Sequence, residues 1–138
     1  MHNLSDINTI TFPCFEREPG ELFVYEQFNG VPFDIKRAFV IKAKEATDRG
    51  SHAHKECSQL MITLAGTCIV TCDDGKGKAS TTLNKGAEGL FVPPTIWAEQ
   101  HYKPGAILLV LTDMLYCAED YIRDYDEFLM FRSEGDVS

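Results

Sequence analysis

Arg49, His52 and His54 stand together in the run RGSHAHKE at positions 49–56. In a strand, residues two apart project to the same side, so the imidazoles of His52 and His54 face one way. A neutral imidazole is a natural general base near neutral pH. Two on one face can divide the work, one removing a proton and the other holding a substrate oxygen. The same pair could be two ligands of a metal site, or a polar strand end wetted by solvent. Arg49 keeps its charge and presents a fork of donors suited to a phosphate or an oxyanion, with a surface arginine as the plain reading. Gly50 lets the backbone bend between the arginine and the histidines.

These groups are positioned by short strands. ELFVYEQF, FDIKRAFVI, CSQLMITLAG, TCIVTCDDG, STTLNKG, GLFVPP, WAEQHY and AILLVLTD follow one another between turn signals. Roughly eight or more strands at this spacing predict a sandwich or barrel. In FDIKRAFVI the alternation puts Ile35, Arg37, Phe39 and Ile41 on one face and Lys36, Ala38 and Val40 on the other. Gly66 predicts a tight hairpin between its flanking strands, DDGKGK predicts a second turn, and Pro93–Pro94 end the GLFV strand. AEDYIRDYDEFLMF spaces Tyr121, Tyr125 and Phe128 like one face of a short C-terminal helix. RSEGDVS is expected to fray.

The chain of 138 residues is expected to be a single domain spanning 1–138, with an ordinary hydrophobic fraction of 44 %. Its net charge of −8 argues against nucleic acid as a partner, although a small anion could bind where a few Arg and Lys residues gather in one cleft. No stretch reads as a signal peptide or a membrane helix, and five cysteines without a zinc-type pattern read as reduced thiols of a cytoplasmic protein.

His52, His54, Gln59 and Gly66 follow the spacing of the first motif of the cupin fold. The second motif supplies a further histidine five residues after a proline, and from Pro93 that position is Ala98. Two imidazoles with a glutamine and an alanine make a weak set for iron, manganese or zinc. The expectation is therefore no metal and no cofactor. A metal-dependent cupin that recruits His101 is the alternative this motif leaves open.

The pairing of RGSHAHK at 49–55 with DYIRDYDEFL at 120–129, together with PFDIKRAF, DDGK and GLFVPPTIWAE, resembles the cupin-type TDP-4-keto-6-deoxyglucose 3,4-ketoisomerases, the WxcM-like domain. The resemblance spans about 100 residues. It implies an all-β jelly roll with a short C-terminal helix, and a homodimer with an exchanged N-terminal strand. It also implies a metal-free shift of a keto group from C4 to C3 of a TDP-linked 4-keto-6-deoxy sugar, through an enediolate. The products of such enzymes feed deoxyamino sugars of bacterial surface glycans such as O-antigen and S-layer chains. On this resemblance His52 and His54 are the catalytic pair, and Arg49 is a ligand of the sugar or the diphosphate.

Three positions depart from the family pattern. Phe39 and Val40 stand where a tyrosine is usual, Trp97–Ala98 replaces Trp-His, and Pro19–Gly20 replaces Arg-Gly. Tyr25, Tyr102, Tyr116 or His101 could supply a displaced group. A cupin that binds a nucleotide sugar without turning it over is therefore a second reading. Arg37, beside Lys36, is a further candidate on the diphosphate path, and Trp97 is a candidate wall of the sugar pocket. For Arg37 and Arg123 the plain reading is an ion pair with an acid, and for Trp97 it is core packing.

Overall fold

The computed structural model describes residues 1–137. In chain order the strands are β1 (Asn8–Thr11), β2 (Cys14–Arg17), β3 (Gly20–Phe23), β4 (Glu26–Gln27), β5 (Gly30–Val31), β6 (Arg37–Lys42), β7 (Thr47–His54), β8 (Gln59–Ala65), β9 (Cys68–Asp73), β10 (Lys78–Leu83), β11 (Glu88–Val92), β12 (Trp97–Tyr102), β13 (Ile107–Thr112) and β14 (Tyr121–Ile122), and a helix α1 (Tyr125–Val137) follows. Two five-stranded sheets face each other, β1-β11-β8-β13-β6 and β10-β9-β12-β7-β14. From β7 onward the chain repeatedly crosses between them, as in a jelly roll, and all pairings within the two sheets are antiparallel.

The core between the sheets comes from one face of each strand. Met61 of β8, Val70 of β9, Leu90 of β11, Ala98 and Tyr102 of β12, and Leu108 and Val110 of β13 form one buried cluster. Strand β8 is buried on both faces, because Leu60 and Ile62 pack outward against Phe12, Val31 and Phe33 of the N-terminal segment. That explains its unbroken apolar run, since a strand covered on both sides needs no polar alternation. By contrast β6 is half exposed, with Arg37, Phe39 and Ile41 partly buried and Ala38, Val40 and Lys42 exposed.

Several sequence expectations change. DDGKGK does form the β9–β10 hairpin, with Asp73 opposite Lys78. Gly66 does not close a hairpin, because β8 and β9 lie in different sheets. Its φ of +73° and a would-be Cβ only 2.9 Å from the Ala106 Cα show what the glycine serves, a left-handed crossing pressed against a neighbouring backbone. Tyr121 lies in β14, paired with His54 of β7, and not on the helix face.

The tail also differs from expectation. Helix α1 runs through RSEGDV, and Arg132 is only 3 % exposed. Its Nη1 donates to the backbone carbonyls of His2 (2.7 Å) and Thr95 (2.8 Å). Thr95 in turn donates its N–H to the carbonyl of His54 at 2.7 Å. Arg132 thus ties the N-terminus, the β11–β12 crossing and the end of β7 into one assembly. Arg132→Ala removes these hydrogen bonds from a charged donor, and a further one to the Thr95 hydroxyl, and we expect it to lower stability by about 3 kcal/mol in urea unfolding.

Candidate active site

Arg49 and His52 have opposite parity in the sequence, so on a regular strand they would point to opposite sides. Strand β7 is not regular. His52 is opposite Ala98 and Gly50 is opposite Glu99, so two steps on β7 match one step on β12. The extra residue is Ser51, and both Gly50 (φ +88°) and Ser51 (φ +52°) are left-handed. This bulge turns Arg49 to the same face as the histidines. A Cβ on Gly50 would lie 3.1 Å from the Ala98 carbonyl oxygen, so glycine fits both the turn and the close approach.

The inward faces of β6, β7, β8 and β12 then line a cavity of about 260 Å³. Its walls include Arg37, Phe39, Arg49, His52, Gln59, Gln100, Tyr121 and Arg123. A second, narrow space of about 10 Å³ shares Arg37, Gln59 and Tyr121 with it and is lined further by His54, Cys57, Tyr116 and Asp120. A hollow of about 460 Å³ elsewhere is lined only by residues of the β2–β3 ribbon and has no acid–base pair in it.

The histidine rings meet edge to face, with centroids 5.1 Å apart, and Tyr121 covers both at 5.0 and 4.4 Å. His54 Nδ1 lies 2.9 Å from Asp120 Oδ2. The other Asp120 oxygen accepts the Glu56 N–H at 2.7 Å, and its backbone carbonyl accepts the Lys55 N–H. An ionised carboxylate can only accept, so the proton of His54 sits on Nδ1 and the lone pair on Nε2. That Nε2 is buried, and no protein atom among the described residues pairs with it. His52 is arranged alike, with Nδ1 2.9 Å from the Gly50 carbonyl oxygen.

Burial is the main reason that both histidines are harder to protonate than usual. The neighbouring His54 and the Arg123 charge add to this effect at His52, whose pKa falls to about 4 despite the Gly50 carbonyl. At His54 burial again lowers the value, and the Asp120 carboxylate opposes it. Both imidazoles are therefore neutral, and able to accept a proton, at neutral pH. The unfolded chain binds a proton at His52 near pH 6.5, whereas the folded chain does so only near 4. Stability is thus fully present above 6.5 and is lost as the pH falls toward 4. Thermal midpoints measured between about pH 7 and 5 are expected to fall, and His52→Asn to flatten that fall.

Arg37, Arg49 and Arg123, three of the chain's five arginines, converge on this cavity. None of the three has a carboxylate partner among the described residues. Arg37 lies over the rings of Phe39 (4.5 Å) and Tyr116 (5.3 Å), and Arg123 over Tyr121 at 4.2 Å. Arg123, read from sequence as an ion-pair residue, instead lines the cavity. Lys36 faces away and pairs with Asp34 at 2.6 Å. In a chain of net charge −8, these three guanidinium groups concentrate positive charge at one mouth, the kind of charge that suits an anion.

Trp97, expected as a wall of the sugar pocket, does not line the cavity. It points to the outer face of its sheet, under α1, against Tyr125 and Phe128, and its Nε1 donates to Glu99. Strand alternation puts Ala98 and Gln100 inward and Trp97, Glu99 and His101 outward. His101 accordingly pairs with Asp48 at 2.8 Å on that outer face and does not join His52 and His54. Tyr25 bonds the Gly86 carbonyl and Tyr102 bonds Gln100, so neither hydroxyl is free for the site. Sequence reasoning missed Asp120 and Tyr121 as site residues.

The family described as FdtA, WxcM-like, C-terminal matches residues 5–133. A TDP-4-oxo-6-deoxy-alpha-D-glucose-3,4-oxoisomerase of Aneurinibacillus thermoaerophilus is 40 % identical over 111 residues, which are 79 % of this chain and 80 % of the relative. A 3,4-ketoisomerase from Helicobacter canadensis superposes with a TM-score of 0.88 at 38 % identity, covering 93 % of this chain and 98 % of the other. The sugar 3,4-ketoisomerase QdtA from Thermoanaerobacterium thermosaccharolyticum, solved in complex with TDP, gives 0.90 at 30 % identity, covering 96 % and 98 %. The chain belongs to the FdtA, WxcM-like C-terminal family.

Proposed function

We propose that the protein is an isomerase that moves the keto group of a TDP-linked 4-keto-6-deoxyhexose from C4 to C3. The observation that carries this reading is the His54–Asp120 pair, held beside a cavity where three unpaired guanidinium groups converge. A proton on C3, next to the carbonyl, is acidic enough for an imidazole to remove. His54 Nε2 takes it, because Asp120 orients the ring and stabilises the imidazolium that forms. The electrons flow into a C3–C4 enediolate. A proton passes from O3 to O4, C4 is reprotonated, and the carbonyl reforms at C3. Each proton removed is returned, so the sum is an isomerisation with no net redox change.

His52 faces the larger cavity and serves as partner in the return of the proton and in holding a sugar oxygen. Tyr121 lies against both rings and brings a hydroxyl to the site, where Phe39 cannot. The enediolate oxygen and the diphosphate are charged, and Arg37, Arg49 and Arg123 answer that charge. A protein that only held a nucleotide sugar would need the arginines but not a buried imidazole bonded to a carboxylate. The TDP bound in QdtA supports the choice of nucleotide.

We also place a homodimer in this reading. Among the described residues strands β2 and β3 pair only with each other, and Phe15 and Leu22 on this ribbon are 56 % and 58 % exposed. A second copy is the natural cover for such an apolar ribbon, by exchange of this N-terminal element. All five cysteines are free thiols, which suits the reducing cytoplasm, and no helix among the described residues is long and apolar enough to cross a membrane. The test of function is direct. Purified protein given TDP-4-keto-6-deoxyglucose should yield the 3-keto isomer by NMR, and the absence of any isomer would refute the assignment.

A further inference from the structure

His54, Cys57 and Asp120 are all buried, and each offers a ligand atom within 4.8 Å of the other two. They come from separate places: the end of β7, the loop after it, and the short turn before β14. The narrow space of about 10 Å³ is bordered by all three. That is about the room one small occupant needs. This set shares His54 with the cupin metal positions but uses none of His52, Gln59 and Ala98.

We propose that His54, Cys57 and Asp120 form a binding site for a thiophilic divalent cation such as Zn²⁺, and that the bound ion switches the isomerase off. The ligand chemistry selects the ion. A thiolate, an imidazole and a carboxylate form the mixed S, N, O donor set that suits zinc, cobalt or cadmium and not magnesium or calcium. Three protein ligands hold the ion within the space available. The thiolate and the carboxylate together carry two negative charges and balance the cation. The Asp113 carboxylate, which accepts the Ser58 N–H at 2.8 Å, adds negative potential on the Cys57 side. Arg37 and Arg123, on the other side, oppose the ion and limit its affinity.

The inhibitory consequence follows from where the protons go, and it rests on His54 being the base. Nδ1 is the His54 nitrogen that faces Asp120, so the cation binds there and displaces its proton. A neutral imidazole coordinated through Nδ1 carries its single proton on Nε2. The lone pair that would take the C3 proton is then gone. The Cys57 thiol releases its proton to solvent as the Sγ–metal bond forms, and no electron changes hands.

The test uses the whole chain, washed with chelator, and Co²⁺ as a spectroscopic probe. Added Co²⁺ should produce the near-ultraviolet charge-transfer band of a thiolate–cobalt bond, saturating at one equivalent. Cys57→Ala and Cys57→Ser should both lose the band while retaining Cys68 and Cys72, so a band from those thiols would persist and overturn the site. A wild-type protein that gives no band overturns it too. This arm needs no turnover, so it stands even if the isomerase assignment fails. In the second arm, Zn²⁺ should inhibit the wild type reversibly. The concentration for half-inhibition should rise at least about 10-fold in Cys57→Ser, whose zinc-free activity stays near wild type. A cobalt band without zinc inhibition would overturn the switch.

Discussion

Replacing His54 with asparagine should lower kcat by about a thousand-fold, with a much smaller change in the KM for the TDP-sugar. The reason is geometric. The shorter amide side chain could still bond Asp120 and fill part of the space, so the fold and the arginine mouth survive, but no group would remain to take the proton from C3. Asp120→Asn should lower kcat by a lesser factor, about a hundred-fold. The amide no longer demands a proton on Nδ1, so the base loses both its fixed tautomer and the charge that stabilises its imidazolium. Steady-state kinetics by NMR or a coupled assay separate the two parameters. If Asp120→Asn retained full kcat, the dyad would have no part in proton transfer.

The second large effect lies in binding. Arg49→Ala should weaken TDP affinity by roughly 10- to 100-fold, which corresponds to one charge-assisted hydrogen-bond group lost from a phosphate. Arg123→Ala should have an effect of similar size. Calorimetric titration with TDP measures both, and the wild-type affinity should fall as salt is raised, because the attraction is electrostatic. A loss much smaller than this at both positions would mean that the diphosphate lies elsewhere. The expected losses depend on all three arginines lacking carboxylate partners, since an arginine already paired would answer to its partner first.

The residues that were legible in the sequence are those whose placement depends on local periodicity. The alternation of β6 put Arg37 and Phe39 on one face, and the structure keeps them together at the cavity. The i, i+2 rule put His52 and His54 side by side, and their rings are in contact. The spacing of strands and prolines pointed to a sandwich or barrel, with GLFV ending before Pro93.

What was hidden depended on partners far along the chain. Asp120 reaches His54 across 66 residues, and only the pairing of β14 with β7 makes that contact. Tyr121 looked helical because DYIRDY spaces its tyrosines about one turn apart, yet the backbone stays extended until Asp124 accepts the first helix bond from Phe128. Trp97 was misplaced because its face is set by the parity of β12, in which Ala98 is the inward neighbour. The bulge at Ser51 could not be counted from sequence either. Its signal was a glycine beside the histidine motif, but the consequence, turning Arg49 inward, needed the register against β12.

Every catalytic role assigned above rests on His54 taking the proton from C3. The direct measurement is loss of the C3 hydrogen, with deuterium entry at C4 of the 3-keto product, when TDP-4-keto-6-deoxyglucose is incubated in D₂O and followed by NMR. Wild type should lose the C3 hydrogen at a rate at least equal to turnover, and His54→Asn should show essentially no loss while still binding TDP. Loss at the wild-type rate in His54→Asn would contradict the assignment of His54 as the base.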